Sequence, residues 1–324
     1  LNLNIQKQRG SLIGGLGYLE ESDTYDPNDL GFNYNNNRRV FEASMAYRDF
    51  EPQWKKLMKW SVNASFSQTY LYNPSVFTSN MASLNFFTVT KKFNAFGGNG
   101  GATLKPTQDY FEPRTDGAVF TIPQFYFFNT WFSTNYQRKV SIDAGGSMNQ
   151  YIGNPWKQYA YNFNPRLRLS DAIFLIYSFE KELQYNNLGY AIPFATPAMS
   201  YQGILFGRRN RNTTIQAIAL DYIMTNRMSL SLRLRHYRST LQYESFSLLQ
   251  EDGSLNLLPN FNGLTTEGKS AYDINYNAFT IDLVYRWVFM PGSEINIVWK
   301  NSVFASNDAV SVAYWQDLSS TLQT

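Results

Sequence analysis

The chain has 324 residues, with 28 Lys and Arg residues against 25 Asp and Glu residues, a formal net charge of +3. Charged residues make up 16% of the chain and aromatic residues 17%, whereas an ordinary soluble domain is about 25% charged. We therefore expect part of the surface to contact something other than water. So small a net charge, with no run of basic residues, argues against nucleic-acid binding.

The residue types exclude several kinds of site. The chain has no cysteine, which excludes disulfides, thiolate metal sites and a cysteine nucleophile. The single histidine, His236, excludes a histidine-rich zinc site, and we expect no metal and no cofactor. Because the chain opens at Leu1 without a methionine or a charged-then-apolar leader, we expect a processed chain or a fragment.

Three long runs show alternation of apolar and polar residues. Apolar and aromatic residues alternate with Ser, Asn and Thr in residues 60–72, and Leu alternates with Ser and Arg in residues 228–237. Large apolar residues alternate with Thr, Asp and Arg in residues 278–290. This period of two predicts strands whose two faces meet different surroundings. No apolar run reaches the roughly 18 residues that a spanning helix needs.

The connections between such runs come in two sizes that alternate along the chain. Short ones resemble tight turns, at residues 136–138, 170–171, 225–226 and 291–293. Long ones are rich in Asn, Asp, Gly and Pro, at residues 22–37, 105–117, 186–200 and 247–271. This asymmetry predicts a structure with one trimmed end and one elaborated end.

Long alternating strands with this asymmetry are typical of an antiparallel transmembrane β-barrel of the outer-membrane type, here with roughly fourteen strands. In hydrocarbon every backbone N–H and C=O needs an internal partner, and a closed sheet supplies it. A large soluble β protein with a core of aromatic residues is the alternative. The barrel reading predicts aromatic girdles near the strand ends, formed by Tyr70, Tyr72, Tyr151, Trp156, Tyr159, Tyr161, Trp287 and Trp299.

Five segments carry a resemblance to a known family. They are DPNDLGF from Asp26, QDYFEPR from Gln108, FGRRN from Phe206, LRLRHYRSTLQYESF from Leu232 and LVYRWVFMPGSEINIVWK from Leu283. Together they resemble the C-terminal barrel region of a Bacteroidota outer-membrane family of unknown function. Members of that family usually carry an N-terminal carbohydrate-binding module of the family-nine type. The last segment, a strand, a Pro-Gly turn and a returning strand, is the most specific.

The chain departs from this family in two ways. It contains no binding module, so a carbohydrate-binding role cannot be transferred to these residues. It ends in SSTLQT, whereas such barrels are expected to finish in an apolar strand with a terminal aromatic residue. We therefore interpret residues 1–324 as one outer-membrane β-barrel domain, the C-terminal part of a larger barrel that lacks its closing strand.

Two motifs resemble catalytic or phosphate sites but favour simpler interpretations. His236 lies on the same strand face as Leu230 and Leu234, without a positioned nucleophile or acid, and is interpreted as a structural histidine at the membrane boundary. The glycine run at residues 97–101 lacks the Gly-Lys-Ser/Thr ending of a P-loop. Glycines that let a neighbouring strand approach closely are the better interpretation.

Two groups of carboxylates also favour simple interpretations. Residues 23–29 gather three aspartates that suit calcium, but without the spacing of a calcium-binding hand, so a solvated loop is favoured. Glu180 and Glu182 share one strand face, as a glycosidase pair would. Their place near a strand end favours solvated charges.

Arginines opposite the apolar faces are the candidate functional residues. In a barrel they point into the lumen, together with one aspartate; the set is Arg166, Arg168, Arg233, Arg235, Asp282 and Arg286. An arginine on the lipid face costs roughly 2–4 kcal/mol at the midplane, so this parity is a physical constraint. Either a basic lumen favours anionic or hydroxyl-rich solutes, or the arginines pair with Asp282 and backbone carbonyls to brace a plugged barrel.

The sequence thus predicts a non-enzymatic outer-membrane protein of a Gram-negative bacterium, acting as a channel or as the membrane anchor of a surface-glycan handling protein. The alternative is a plugged barrel that serves as a scaffold, whose long loops bind partners in an outer-membrane complex. A third reading, a glycoside-processing enzyme, rests only on association with the carbohydrate-binding module. The expected partners are outer-membrane lipid, other outer-membrane or surface proteins, and saccharide or anionic solutes.

Overall fold

A computed structural model describes residues 1–26 and 36–323 of the chain. These residues form seventeen strands and one helix. The strands are β1 (Asn2–Lys7), β2 (Leu12–Glu21), β3 (Arg38–Asp49), β4 (Leu57–Leu71), β5 (Phe77–Thr90), β6 (Ala95–Ala102), β7 (Thr107–Asp109), β8 (Phe120–Ile122), β9 (Phe125–Ser133), β10 (Val140–Tyr151), β11 (Lys157–Arg168), β12 (Ile173–Tyr190), β13 (Leu205–Thr225), β14 (Met228–Leu249), β15 (Leu255–Leu257), β16 (Ile274–Met290) and β17 (Ser293–Asn307). The helix is α1 (Tyr314–Gln323), and no helix among the described residues combines the length and apolarity needed to cross a bilayer.

The chain divides into two compact units. The first comprises Leu1–Thr130, Met148–Pro155 and Leu249–Asn256. Its long strands are hydrogen-bonded in the order β1-β2-β3-β4-β5-β6-β9, and β7 and β8 form a separate antiparallel pair. Each strand from β1 to β6 is antiparallel to the next.

The second unit comprises Trp131–Ser147, Trp156–Leu248 and Leu257–Thr324. Its strands follow the order β10-β11-β12-β13-β14-β16-β17. The strands from β11 to β17 on this path are antiparallel, and β13 and β14 reach 21 and 22 residues. Strands of this length exceed the five or six residues usual in soluble sheets.

The strand bounds confirm the four short turns, because 136–138, 170–171, 225–226 and 291–293 all lie at connections of a few residues. Two of the long connections were assigned too early a start. β12 continues through Tyr190 and β14 through Leu249. In β12 the Asn-rich composition suggested a loop, but the chain passes Asn186 in a left-handed conformation and pairs with β13 again at Asn187, across a bulge.

The all-β, antiparallel part of the fold prediction is confirmed. Fourteen strands follow one another in the hydrogen-bonded order, as many as the alternation predicted. Within the described residues β1 pairs only with β2 and β17 only with β16, so this sheet is not closed. The barrel, and the single barrel domain over residues 1–324, stay predictions. The chain end SSTLQT was not recognised as helical, yet Ser319–Gln323 belong to α1.

The best-packed core of the second unit lies among its long connections, away from the middle of the sheet. Its buried apolar residues are Ala191, Leu205, Phe246, Phe261, Ala271 and Tyr272. The ring centroids of Phe246 and Tyr272 are 4.6 Å apart, and those of Phe246 and Phe261 are 5.0 Å apart. Aromatic pairs at these distances add to the burial energy. The connections 191–204 and 258–273 therefore pack around a core of their own.

The glycine run of β6 is explained by the close approach of neighbouring strands, the interpretation favoured from the sequence. A Cβ on Gly98 would lie 2.8 Å from the Asn129 carbonyl oxygen, and one on Gly101 would lie 2.5 Å from the Ala82 carbonyl oxygen. Both are closer than a carbon can approach a backbone oxygen without displacing it. These glycines allow the close approach of β9 and β5.

Replacing Gly101 by Ala should therefore lower the free energy of unfolding by about 1–3 kcal/mol through overpacking. Gly146→Ala in β10 is the matched control, because a Cβ there meets only the Ala160 carbonyl oxygen at 3.6 Å. Thermal unfolding of the two variants, followed by circular dichroism, makes the comparison. Equal stability of both variants would contradict the steric explanation.

Candidate functional site: a basic face and an anchored helix

The register of the second unit collects the predicted arginines on one face of its sheet. Directly opposed residues share a face, and one row across the strands reads Arg166, Ile176, Ala219, Arg233, Asp282 and Lys300. The neighbouring row joins Arg168 to Phe174, Asp221 and Ser231. Arg235 and Arg286 lie at even spacings from Arg233 and Asp282. We call this set of five arginines and Asp282 the basic face; that it lines a lumen stays a prediction.

Two arginines of the basic face are neutralised by carboxylates. Arg166 Nε donates to Asp143 Oδ2 at 3.1 Å, and its guanidinium lies 4.5 Å from the centre of the Tyr136 ring. Arg286 donates from Nε and Nη2 to Glu294 Oε2 at 2.9 and 2.7 Å. Asp282, which the plugged-barrel alternative offered as a partner for the arginines, does not pair with Arg286, because the turn at Pro291 brings Glu294 to it. Asp282 instead lies 3.8 Å from Lys300 Nζ.

Arg233 and Arg235 differ from these two. Both are exposed, and among the residues that the structure describes neither has a hydrogen bond or an ion pair through its side chain. Arg168 is also exposed, and its guanidinium lies 5.3 Å from the centre of the Phe174 ring. The basic face therefore contains two paired arginines and two adjacent unpaired ones, which the sequence treated as equivalent.

The opposite face of the same strands is apolar. One row across it reads Leu175, Leu220, Leu232, Leu283 and Trp299. Large side chains of this apolar face remain exposed: Tyr161, Phe163, Ile218, Trp287, Ile295, Ile297 and Trp299. Contiguous exposed apolar surface of this kind marks a contact with something apolar.

The first unit repeats the separation of faces. Its apolar row is Ile5, Leu16, Ala43, Phe66 and Ala82, and the adjacent row on the other face is Gln6, Gly15, Ser44, Ser65 and Ser83. Exposed large residues such as Ile5, Leu16 and Met45 again lie on the apolar side. The period of two thus segregates polarity in both units.

The aromatic residues named for the girdles lie in different places. Tyr70 and Tyr72 are at the end of β4, and Tyr151 is at the end of β10. Trp299 lies in the middle of β17, away from a strand end. Trp156 is buried, with 7% of its surface exposed.

The apolar face carries a buried polar cluster where α1 packs against β14 and β16. Arg238 Nε donates to Asp317 Oδ2 at 2.6 Å, and Arg238 Nη2 donates to the Val312 carbonyl at 2.6 Å. Asn275 Nδ2 donates to both carboxylate oxygens of Asp317, at 3.0 and 3.1 Å. His236 Nδ1 and the Tyr314 hydroxyl share a hydrogen bond of 2.6 Å. We call these residues the anchoring cluster: His236, Arg238, Asn275, Tyr314 and Asp317.

Burial makes the anchoring cluster energetically important. The side chains of Arg238 and Asp317 are only 7% and 5% exposed, so each charge depends on the other for the interactions it lost with water. Burial raises the pKa of Tyr314 to about 12, so its hydroxyl stays protonated at physiological pH. The cluster fixes α1 to the sheet by paired charges and hydrogen bonds.

Arg238 was not among the residues predicted from the sequence, and His236 was expected in a different environment, at the membrane boundary. Both lie on the same face of β14 as Leu230, Leu232 and Leu234. An arginine on this apolar face was the one indication in the sequence of a buried partner. The partner, Asp317, is 79 residues away. His236 is 4% exposed and lies beneath α1. Its contact with a tyrosine hydroxyl agrees with a structural histidine.

The remaining candidate motifs have ordinary surroundings. Glu182 forms an ion pair with Arg211 at 2.6 Å. Asp23 Oδ2 accepts a hydrogen bond from Asn73, whereas Asp29 lies outside the described residues. Across residues 1–26 and 36–323 no group of three or more His, Asp or Glu side chains is placed to hold a metal ion.

Comparison with known proteins places this antiparallel all-β chain in a family. Residues 1–324, the whole chain, match the family model described as a domain of unknown function, DUF5916. The chain therefore belongs to the DUF5916 family, in agreement with the resemblance to a family of unknown function. No curated protein and no solved structure matches it.

Replacing Arg238 by Met should detach α1 from the sheet, because it leaves the Asp317 carboxylate buried without its cation, at a cost of roughly 3–5 kcal/mol. Hydrogen exchange of the amides in α1 should then approach the rate of an unstructured peptide. Arg286→Met is the matched control, since its ion pair with Glu294 is exposed. The double variant Arg238→Met with Asp317→Leu should recover protection, and full protection in Arg238→Met alone would show that the pair does not hold α1.

Proposed function

We propose that this chain forms part of a β-barrel in the outer membrane of a Gram-negative bacterium and acts as a channel or as the membrane anchor of a surface-glycan handling protein. The observation that carries the proposal is the separation of faces along strands of up to 22 residues. One face exposes Ile218, Ile297 and Trp299 while the other exposes Arg233 and Arg235. A bilayer on one side and water on the other would satisfy both faces.

The connections support the same proposal. Short connections at 91–94, 226–227 and 291–292 contrast with long ones at 191–204 and 258–273. Outer-membrane barrels have short periplasmic turns and longer extracellular loops. The link to Bacteroidota and to surface glycans rests on the five resembling segments, such as the one beginning at Leu283.

A plugged barrel that binds partners through its loops is the second candidate. The observation in its favour is the aromatic core around Phe246 and Tyr272, against which the long connections of the second unit pack. Preformed loops lose less conformational entropy when they bind a partner. In this case the arginines of the basic face would brace the interior.

The membrane orientation is tested by a matched pair of variants in β14. Leu232 lies on the apolar face between Leu220 and Leu283, and Ser231 lies on the basic face beside Asp221. Leu232→Arg should block assembly in lipid, because a charge facing the bilayer interior costs about 2–4 kcal/mol. Ser231→Arg should assemble, since water and the Asp221 carboxylate can accommodate it.

Heat-dependent gel migration after folding into lipid vesicles measures assembly of both variants. Equal loss of assembly in the two would contradict the proposed orientation. Single-channel recordings from the assembled protein separate the two candidates. A steady conductance supports the channel, and its absence from a correctly assembled protein supports the plugged scaffold.

A further inference from the structure

The basic face suggests a more specific ligand than an anion in general. Arg233, Arg235 and Tyr237 follow one another on one side of β14. The row through Arg235 reads Ser178, Ala217, Arg235, Thr280 and Ser302. Two guanidinium groups, three hydroxyl side chains and an aromatic ring therefore share one surface, with alanine at the positions beside the arginines.

The guanidinium groups of Arg233 and Arg235 have hydrogen-bond donors available for a ligand. Arg166 forms an ion pair with Asp143, and Arg286 forms one with Glu294. The side chains of Arg233 and Arg235 have no partner in the described part of the chain. Residues two apart on a strand project to the same side. The two planar forks can thus hold one carboxylate through paired charge-assisted hydrogen bonds.

Other charges near the pair leave it net positive. Asp282 is directly opposite Arg233 in the register and lies 3.8 Å from Lys300 Nζ, and Asp221 accepts a hydrogen bond from Ser231. Arg168 adds a further cation, in the row of Asp221. Glu180 also lies on this face, two strands away in the row of Tyr237. An anion at Arg233 and Arg235 therefore meets more positive than negative charge.

We propose that Arg233 and Arg235 form a binding site for a carboxylated saccharide, with Thr280, Ser302 and Tyr237 as contacts for the sugar. The guanidinium groups bind the carboxylate, the hydroxyl side chains exchange hydrogen bonds with sugar hydroxyls, and the tyrosine ring covers an apolar face of the sugar ring. The side chains of Ala217 and Ala219 are small enough to leave room for the ring. This inference rests on the proposed function, because it assumes that the basic face meets water.

Binding of radiolabelled glucuronate to the detergent-purified protein, measured by equilibrium dialysis, tests the site without requiring a conductance. The parent protein should bind glucuronate and should bind glucose at least about tenfold more weakly. Arg233→Gln with Arg235→Gln should weaken glucuronate binding by about tenfold or more, since it removes both charged partners. Replacing both arginines by Lys keeps the charge and loses the forks, so binding should fall between the two.

Arg286→Gln with Glu294→Gln is the matched control, because it removes a neutral pair from the same face and should leave glucuronate binding unchanged. Undiminished binding in the Arg233 and Arg235 double Gln variant would overturn the site. A parent protein that binds glucuronate and glucose equally well would also overturn the site. Thermal unfolding of each variant confirms that it is folded.

Planar-bilayer recordings distinguish failure of this site from failure of the proposed function. If the site is correct and the barrel conducts, glucuronate should reduce the chloride current of the parent protein, and the double Gln variant should lose this block. If the protein conducts but neither binds glucuronate nor is blocked by it, the channel proposal stands and the proposed binding site is overturned. Glucuronate binding without conductance would keep the site and favour the plugged scaffold.

Discussion

The separation of polarity between the two faces of each strand is the constraint on which the rest of the structure depends. Antiparallel register places directly opposed residues on one side, so a period of two within each strand becomes a continuous row across several strands. The row from Leu175 to Trp299 is apolar, and the row from Arg166 to Lys300 carries most of the nearby charge. A slip of one residue in a charged strand such as β14 would place charge on the apolar side.

A sheet with one apolar and one polar face needs different surroundings on its two sides. The side chains of the protein itself cover only part of each face. The connections 191–204 and 258–273 pack with the ends of β13 and β14 in a compact aromatic core, yet the strand faces keep Ile218, Ile297 and Trp299 exposed. A soluble sandwich would bury such residues between two sheets. The polar face needs water or bound solute for Arg233 and Arg235, whose side-chain donors have no partner among the described residues.

The anchoring cluster shows how an exception to the pattern is stabilised. His236 and Arg238 have the apolar parity of β14, where an isolated charge would be costly. Asp317 neutralises Arg238, and Asn275 provides further hydrogen bonds to the same carboxylate. The helix α1 thus covers His236 and Arg238, the polar side chains that lie on the apolar face. Removing either partner would leave the other charge buried and uncompensated, so the ion pair favours docking of α1 at this place on the sheet.

The sequence by itself determined the elements whose cause is local. Alternation at residues 60–72, 228–237 and 278–290 gave the strands and their faces, and turn residues such as Pro291 and Gly292 gave the short connections. Backbone preference and side-chain parity act over a few residues, so they can be read directly. The same locality explains the errors at Asn186, where a bulge continues a strand through residues that favour loops.

Only the tertiary structure decided which polar groups have partners. Parity placed Arg166, Arg233, Arg235 and Arg286 on one face. It could not show that Glu294 neutralises Arg286 while Arg233 has no partner in the part of the chain that the structure describes. Nor could it join Arg238 to Asp317, 79 residues later. An ion pair depends on a few ångströms between side chains, and that distance follows from how the whole chain folds back on itself. A strand pattern fixes only the side on which each charge lies.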